Sequence, residues 1–409
     1  MRFNSSNIIN ILTPLLAASL AFQGCSSEED NNQGGHSKAA VKAHYADMVL
    51  ANYEDSLKSA MVLQTAIKTF TATPSAEGLA EAKEAWLKSR DPYGQAEAFR
   101  FYDGPIDHPE TGPEGQLNAW PMDEVYVDYV EGDPDAGIIN RRSIAITKKR
   151  LSSLNEGGDE TVLELFPNAE ADKAIATGYH AIEFLLWGQD FNEAAPGNRP
   201  WQDYLVGAEA TAPNGDRRAQ YLNVATELLV DDLTTLVAEW SKEDSNNYRN
   251  SIFLKQTPEQ ALILIIRSIG ILAKSELAGE RIDVALTNGE QEDEQSCFSD
   301  NTNNDIWANA QGIHNVYFGT YGDLKGPSLS DLVAAVDPAL DQTIKADLDW
   351  VVTRSIALPL TFDQFITDPS SVGYKEANDI VVKLQIIGNN LVKAAKAIGL
   401  GSISVELPE

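Results

Sequence analysis

His180 and Glu183 stand three residues apart inside an apolar run, residues 174–187. If that run is helical, the two side chains share one face, with Cβ atoms roughly 5–6 Å apart. An imidazole and a carboxylate held that close in an apolar setting either satisfy each other or share a cation. The plainer alternative is a core histidine that is hydrogen-bonded to its neighbour and orients a helix. As metal ligands, the pair forms a mixed nitrogen and oxygen set. Such a set suits iron, zinc, manganese or copper better than calcium or magnesium. Two ligands do not complete a site, so other segments must contribute.

The elements that must position this pair read as helices. From Ala39, apolar residues recur at three- and four-residue steps as far as Ile67, and Thr73-Pro74-Ser75 ends that helix. A second starts near Ala76 and extends toward Phe99. Residues 103–121 and 188–216 are long loops rich in Gly, Pro and Asp. Short helices are expected over 122–130 and 138–154, and the His180 helix over 168–187. Residues 217–240 are amphipathic. Thr257-Pro258-Glu259-Gln260 carries a capping box with proline at the first helical position. The helix it opens, to about Gly279, is apolar nearly all round and belongs at the centre. Arg267 and Glu276 within it are expected to pair with charges on other helices. Residues 290–304 read as a polar loop, and further helices run over 338–356 and 371–398. No alternating strand pattern stands out. The class is all-α, two helical-bundle halves joined by long loops, with the halves at 39–245 and 246–405.

The 61 acidic residues outnumber the 31 basic ones, giving a formal charge of −30. That sign excludes a nucleic-acid role, since phosphate binding needs the opposite. A negative field instead concentrates cations. The two cysteines, Cys25 and Cys297, are no disulfide framework. Residues 1–24 read as an export signal: Arg2, then a largely apolar stretch from Ile8 to Phe22, too short to span a membrane. The run ends Gly24-Cys25, which resembles a bacterial lipoprotein processing site and makes Cys25 the lipidated residue. Phe22 and Gln23 depart from that pattern. Residues 25–38 form a polar tether. The expected location is the bacterial cell envelope, with the chain lipid-anchored and either facing the periplasm or held at the outer membrane.

Gly178-x-His180-x-x-Glu183 resembles the GxHxxE signature of the imelysin-like family. The run from Thr177 to Asp190 is similar to the iron-regulated lipoprotein branch of that family. So are 89–103, Asn118-Ala-Trp-Pro-Met-Asp-Glu124 and Ser296-Cys-Phe-Ser-Asp-Asn-Thr302. The resemblance implies an all-helical fold with a site near the junction of its halves. It also implies export and a role in iron uptake. Members of the family have also been described as peptidases. A helical zinc peptidase needs HExxH or HxxEH. Phe184 follows Glu183, so neither motif is present here, and metallopeptidase is the secondary reading.

Further candidates complete the site. Glu97 is a candidate metal ligand, and Arg100 an orienter of a carboxylate or anionic chelate, although a solvated helix end explains both equally. Trp120 is a candidate wall ahead of Asp123 and Glu124. Asp300, as a fourth metal ligand, and Asn301 would close the site from the second half. His314 reads as a packed histidine. The expected cargo is iron, with zinc or copper as alternatives, as a bare ion or a chelate. The expected partners are the membrane, through the anchor, and a protein of an uptake system. A metal-free interaction protein of such a system is the third reading.

Overall fold

The computed structural model describes residues 37–166, 169–192 and 194–406. Its long helices are α1 (Lys38–Ala72), α2 (Ala76–Ala96), α3 (Gly178–Trp187), α4 (Gly215–Trp240) and α5 (Pro258–Ile271). They continue with α6 (Thr302–Phe318), α7 (Pro338–Ser355) and α8 (Val372–Ala397). The expected export signal and the expected lipidation at Cys25 lie outside the described residues. Of the tether only Ser37 and Lys38 are described, and they already belong to α1: the Ser37 side chain caps it by accepting from the Ala40 N–H. No described helix is long and apolar enough to cross a membrane.

α1 packs along α2 and α4, and α3 lies against α4 and α2. On the other side α8 packs on α5 and α7, and α6 on α7. The join between these groups is α2 against α6, and it depends on two glycines. A Cβ on Gly94 would lie 2.7 Å from the Ala308 Cβ, and one on Gly312 would lie 2.4 Å from the Gln95 carbonyl oxygen. The backbones therefore approach to a distance that no larger residue permits. The described residues form one compact unit.

The capping box at the start of α5 forms as expected. The Gln260 N–H donates to Thr257 Oγ1 at 3.2 Å, and the Thr257 N–H to Gln260 Oε1 at 3.1 Å. Beyond α5 the chain continues as a π-helix over Leu272–Asp283. The wider turn brings residues five apart onto one face. Glu276 therefore pairs with Arg281 of its own segment at 2.8 Å rather than with a charge on another helix.

Three expected helices are shorter in the structure. The segment 138–154 splits into Gly137–Asn140 and Lys148–Leu154. Arg217 explains the break: its guanidinium donates to the carbonyls of Ile138, Ile139, Arg141 and Ile144 at 2.7–3.1 Å, holding the backbone in a loop. The segment 122–130 contracts to one turn, Glu124–Val127. α3 starts at Gly178 rather than near 168, because Gly178 adopts φ +83°, which no continuing helix allows. A Cβ there would also lie 2.5 Å from the Leu117 carbonyl oxygen. The glycine of the GxHxxE pattern thus fixes where the helix can begin. A two-residue antiparallel pairing, Thr320–Tyr321 with Leu324–Lys325, is the one named strand pair among the described residues.

Candidate metal centre

α3 is buried along its whole length. His180 Nδ1 lies 2.9 Å from Glu183 Oε2. The other oxygen of Glu183, Oε1, accepts from the Ser299 N–H at 3.0 Å and from the Ser299 hydroxyl at 2.6 Å. Every oxygen of Glu183 is therefore engaged. His180 Nε2 has no hydrogen-bond partner, although the side chain is only 2% exposed. Such an orphan is costly in a protein interior. The ring lines a pocket of about 20 Å³ whose other walls include Trp120, Glu124, Glu294 and Cys297. That volume holds about one water molecule or one ion.

The pocket adjoins a wider cleft of about 410 Å³, with which it shares Glu124, Glu292, Cys297 and Phe298. Asp190 and Glu290 add to the acidity of the cleft. A path of carboxylates thus leads from the surface to a buried imidazole. A larger apolar groove of about 770 Å³ follows α1 from Glu54 to Thr69 and includes none of the motif residues.

Burial dominates the electrostatics. It pushes Glu183 up to about 8, against the two Ser299 hydrogen bonds. It holds His180 down to about 3, with the nearby Arg90 guanidinium adding to the effect. Glu294 is raised well above the usual carboxylate range by burial, and Asp363, Asp300 and Asp190 push it further. Cys297 is likewise pushed up by burial, reinforced by Glu183 and Glu294. For Glu294 and Cys297 these are the shifts of buried groups that crowd other acids.

The tautomer follows from the hydrogen-bond network. With Glu183 ionised, its carboxylate accepts from Nδ1–H and leaves a lone pair on Nε2 toward the pocket. With Glu183 protonated, it donates to Nδ1, and Nε2 carries the hydrogen. A carboxylate that orients a ligating histidine in this way is a common support of metal sites. The donor set around the pocket, one imidazole nitrogen with carboxylate oxygens, fits a transition-metal ion.

The surroundings are pinned. Arg90 donates through Nε to Asp305 Oδ1 at 3.0 Å and through Nη1 to Asn118 Oδ1 at 2.6 Å. Its guanidinium lies 4.9 Å from the Tyr179 ring centroid. Ser296 Oγ donates to the same Asp305. Thr302 Oγ1 donates to Glu294 Oε2 at 3.1 Å, which leaves Glu294 Oε1 buried without a partner.

Residues 49–385 match the imelysin family. The chain belongs to the imelysin family. It is 23% identical over 337 residues to iron-regulated protein A of Synechococcus elongatus, covering 80% of this chain and 78% of that protein. Two crystal structures share the fold. One is of a protein from Parabacteroides distasonis assigned as an iron-regulated protein A precursor, with TM-score 0.67 and 21% identity. It covers 89% of this chain and 97% of its own. The other is an imelysin-like protein from Psychrobacter arcticum, with TM-score 0.60 and 15% identity, covering 91% and 98%. The mostly helical architecture is thus the imelysin-like fold.

Of the residues singled out in the sequence, His180, Trp120 and Glu124 meet at the pocket, and Glu183 stands behind His180. Glu97 and Arg100 do not line it. Glu97 Oε2 accepts from Arg100 at 2.8 Å and from Arg281 at 2.6 Å. Burial works to raise Glu97, yet Arg281 and Arg100 hold it down to about 2. Arg100 also pairs with Glu114 at 3.0 Å. Asp123 caps the turn that carries Glu124 and accepts from the Glu170 N–H at 3.1 Å. Asn301 precedes α6 as its cap residue. Asp300 lies beside Asp190 and Asp363. Glu294, Cys297 and Ser299 were not singled out as site residues. Cys297 and Ser299 fall within the Ser296–Thr302 run that carried part of the family resemblance. His44 bonds the Gly319 carbonyl at 2.9 Å, and His314 bonds Asp349 at 3.1 Å and stacks on Phe318. Among the described residues, no second histidine lines the pocket with His180.

Proposed function

We propose that this protein captures an iron ion as cargo at His180, outside the cytoplasm, and hands it on during iron uptake. One observation carries the reading: a buried imidazole nitrogen without a partner opens onto an ion-sized pocket at the end of an acidic cleft. His180 Nε2 is the nitrogen donor, and Glu294 and Glu124 are the carboxylates best placed to join it. Glu183, with both oxygens engaged, acts through His180 by fixing its tautomer. Two relatives carry the words iron-regulated in their names, which supports iron over zinc or copper. The formal charge of −30 draws cations toward the cleft. Lipidation at Cys25 would hold the capture site at the cell envelope, beside an uptake partner.

The test is calorimetric titration of the mature protein and of His180→Ala with ferrous, ferric, cupric and zinc ions. The reading requires one tight site in the wild type that is at least ~10-fold weaker in the variant. Equal affinities in the two proteins would refute it.

A further inference from the structure

Asp190, Asp300 and Asp363 each present a carboxylate oxygen, and the three oxygens lie within 4.8 Å of one another. They come from segments far apart in sequence: the loop after α3, the loop before α6, and the short helix Phe362–Ile366. Asp363 is only 3% exposed, and its Oδ2 has no hydrogen-bond partner. Both oxygens of Asp300 are also buried, and the side chain faces Asp190, with which it can share a proton. Asp190 is oriented by donors at its two oxygens, the Asn192 N–H at 2.9 Å and Gln291 Nε2 at 2.8 Å. Among the described residues, no other group of three His, Cys, Asp or Glu side chains converges as closely. Among the described residues, no lysine or arginine is hydrogen-bonded to any of the three carboxylates. Three carboxylates packed together with unfilled lone pairs repel one another unless a cation or a shared proton sits between them.

We propose that Asp190, Asp300 and Asp363 form a second cation site, for a hard divalent ion of the calcium class, separate from the cargo pocket. The donor set is all oxygen, with no imidazole or thiolate, which selects hard cations over late transition metals. Calcium takes 6–8 oxygens at about 2.3–2.6 Å in adaptable geometry, so ligands up to nearly 5 Å apart can share it. Asp190 and Asp300 are partly exposed, which leaves room for the waters that complete such a shell. The bound ion ties three segments together. It also anchors the residue next to Ser299, the residue that holds Glu183. The site stands whether or not iron binds at His180.

The test uses the full mature chain, stripped with a chelator and titrated calorimetrically with CaCl2 and, separately, MgCl2. One calcium per chain is expected for the wild type and for His180→Ala. Binding at least ~10-fold weaker is expected for Asp363→Asn and Asp300→Asn. Calcium should also raise the melting temperature of the wild type and leave that of Asp363→Asn unmoved. If Asp363→Asn does not fold, the partly exposed Asp190→Asn takes its place with the same expected loss. Three results overturn the proposal: no saturable calcium binding by the folded wild type, equal affinity in the carboxamide variants, or magnesium binding tighter than calcium.

Discussion

Metal binding at His180 needs a lone pair on Nε2, and therefore an ionised Glu183 accepting from Nδ1–H. Burial pushes Glu183 up to about 8, so near neutrality the carboxyl holds a proton and Nε2 carries a hydrogen. The apparent affinity is the intrinsic one scaled by the competent fraction. That fraction is roughly 1% at pH 6, 9% at pH 7 and 50% at pH 8 for a group titrating at 8. Affinity should therefore rise roughly 10-fold from pH 6 to 7 and roughly 5-fold from pH 7 to 8. Glu183 alone should release about one proton per ion bound at pH 6 or 7, and Glu294, whose carboxyl burial also raises, adds to that count where it ligates. The assay is zinc competition against a chromophoric chelator, zinc being a probe without redox chemistry, with calorimetry in buffers of different ionisation heat to count the protons. Glu183→Gln sharpens the test. Its amide oxygen must accept from the Ser299 N–H, which turns the amide NH2 to Nδ1 and locks the hydrogen onto Nε2. Affinity should drop ~10–100-fold, and the part of the pH slope that Glu183 supplies should disappear. A flat pH profile in the wild type, or wild-type affinity in Glu183→Gln, would refute the reasoning.

The same pair shapes the stability of the metal-free protein. Glu183 is raised from 4.5 to about 8, so the folded state keeps a proton that the unfolded chain loses, and stability falls as pH rises through that range. His180 is lowered from 6.5 to about 3, so stability falls as pH drops through that range. Between 4.5 and 6.5 the two slopes cancel, and denaturant titrations should show this pair contributing a plateau there, with losses on either side. Gly178→Ala places a Cβ against the Leu117 carbonyl at φ +83°; chemical denaturation should show a loss of about 1–3 kcal/mol. Glu97→Gln leaves Arg281 and Arg100 without their shared anion. Thermal melts should show a loss of about 3 kcal/mol, while metal affinity at His180 stays within about twofold. A stable Glu97→Gln protein with lost metal binding would return Glu97 to the ligand set.

The long helices were legible because periodicity and capping agree with packing: Thr257 to Gln260 announced α5, and the spacing from Val41 to Ile67 announced α1. The helix expected over 138–154 failed because Arg217, far along the chain, claims the carbonyls it needed. The early start assigned to α3 failed because apolar composition cannot show that Gly178 is left-handed. At the site, the i,i+3 spacing placed His180 against Glu183 correctly. It could not show that Ser299 would occupy the remaining oxygen of Glu183 and so reserve the imidazole for the pocket. Glu97 and Arg100 read equally as ligand and orienter or as a solvated helix end, and the structure makes them members of an ion-pair cluster instead. Their partner Arg281 lies on the π-helix, whose register no simple helical wheel reproduces. Asp300 reads from the sequence as a member of the His180 group, yet the fold sets it beside Asp190 and Asp363, because only the tertiary path of two loops and a short helix decides which carboxylates converge.

The most direct test is a crystal of the mature protein soaked in ferrous iron under anaerobic conditions, with anomalous data collected on both sides of the iron edge. The account predicts one strong iron peak at bonding distance from His180 Nε2, in the pocket walled by Glu124 and Glu294. A well-ordered soaked crystal whose only iron peaks lie elsewhere, with His180 Nε2 bare, would contradict it.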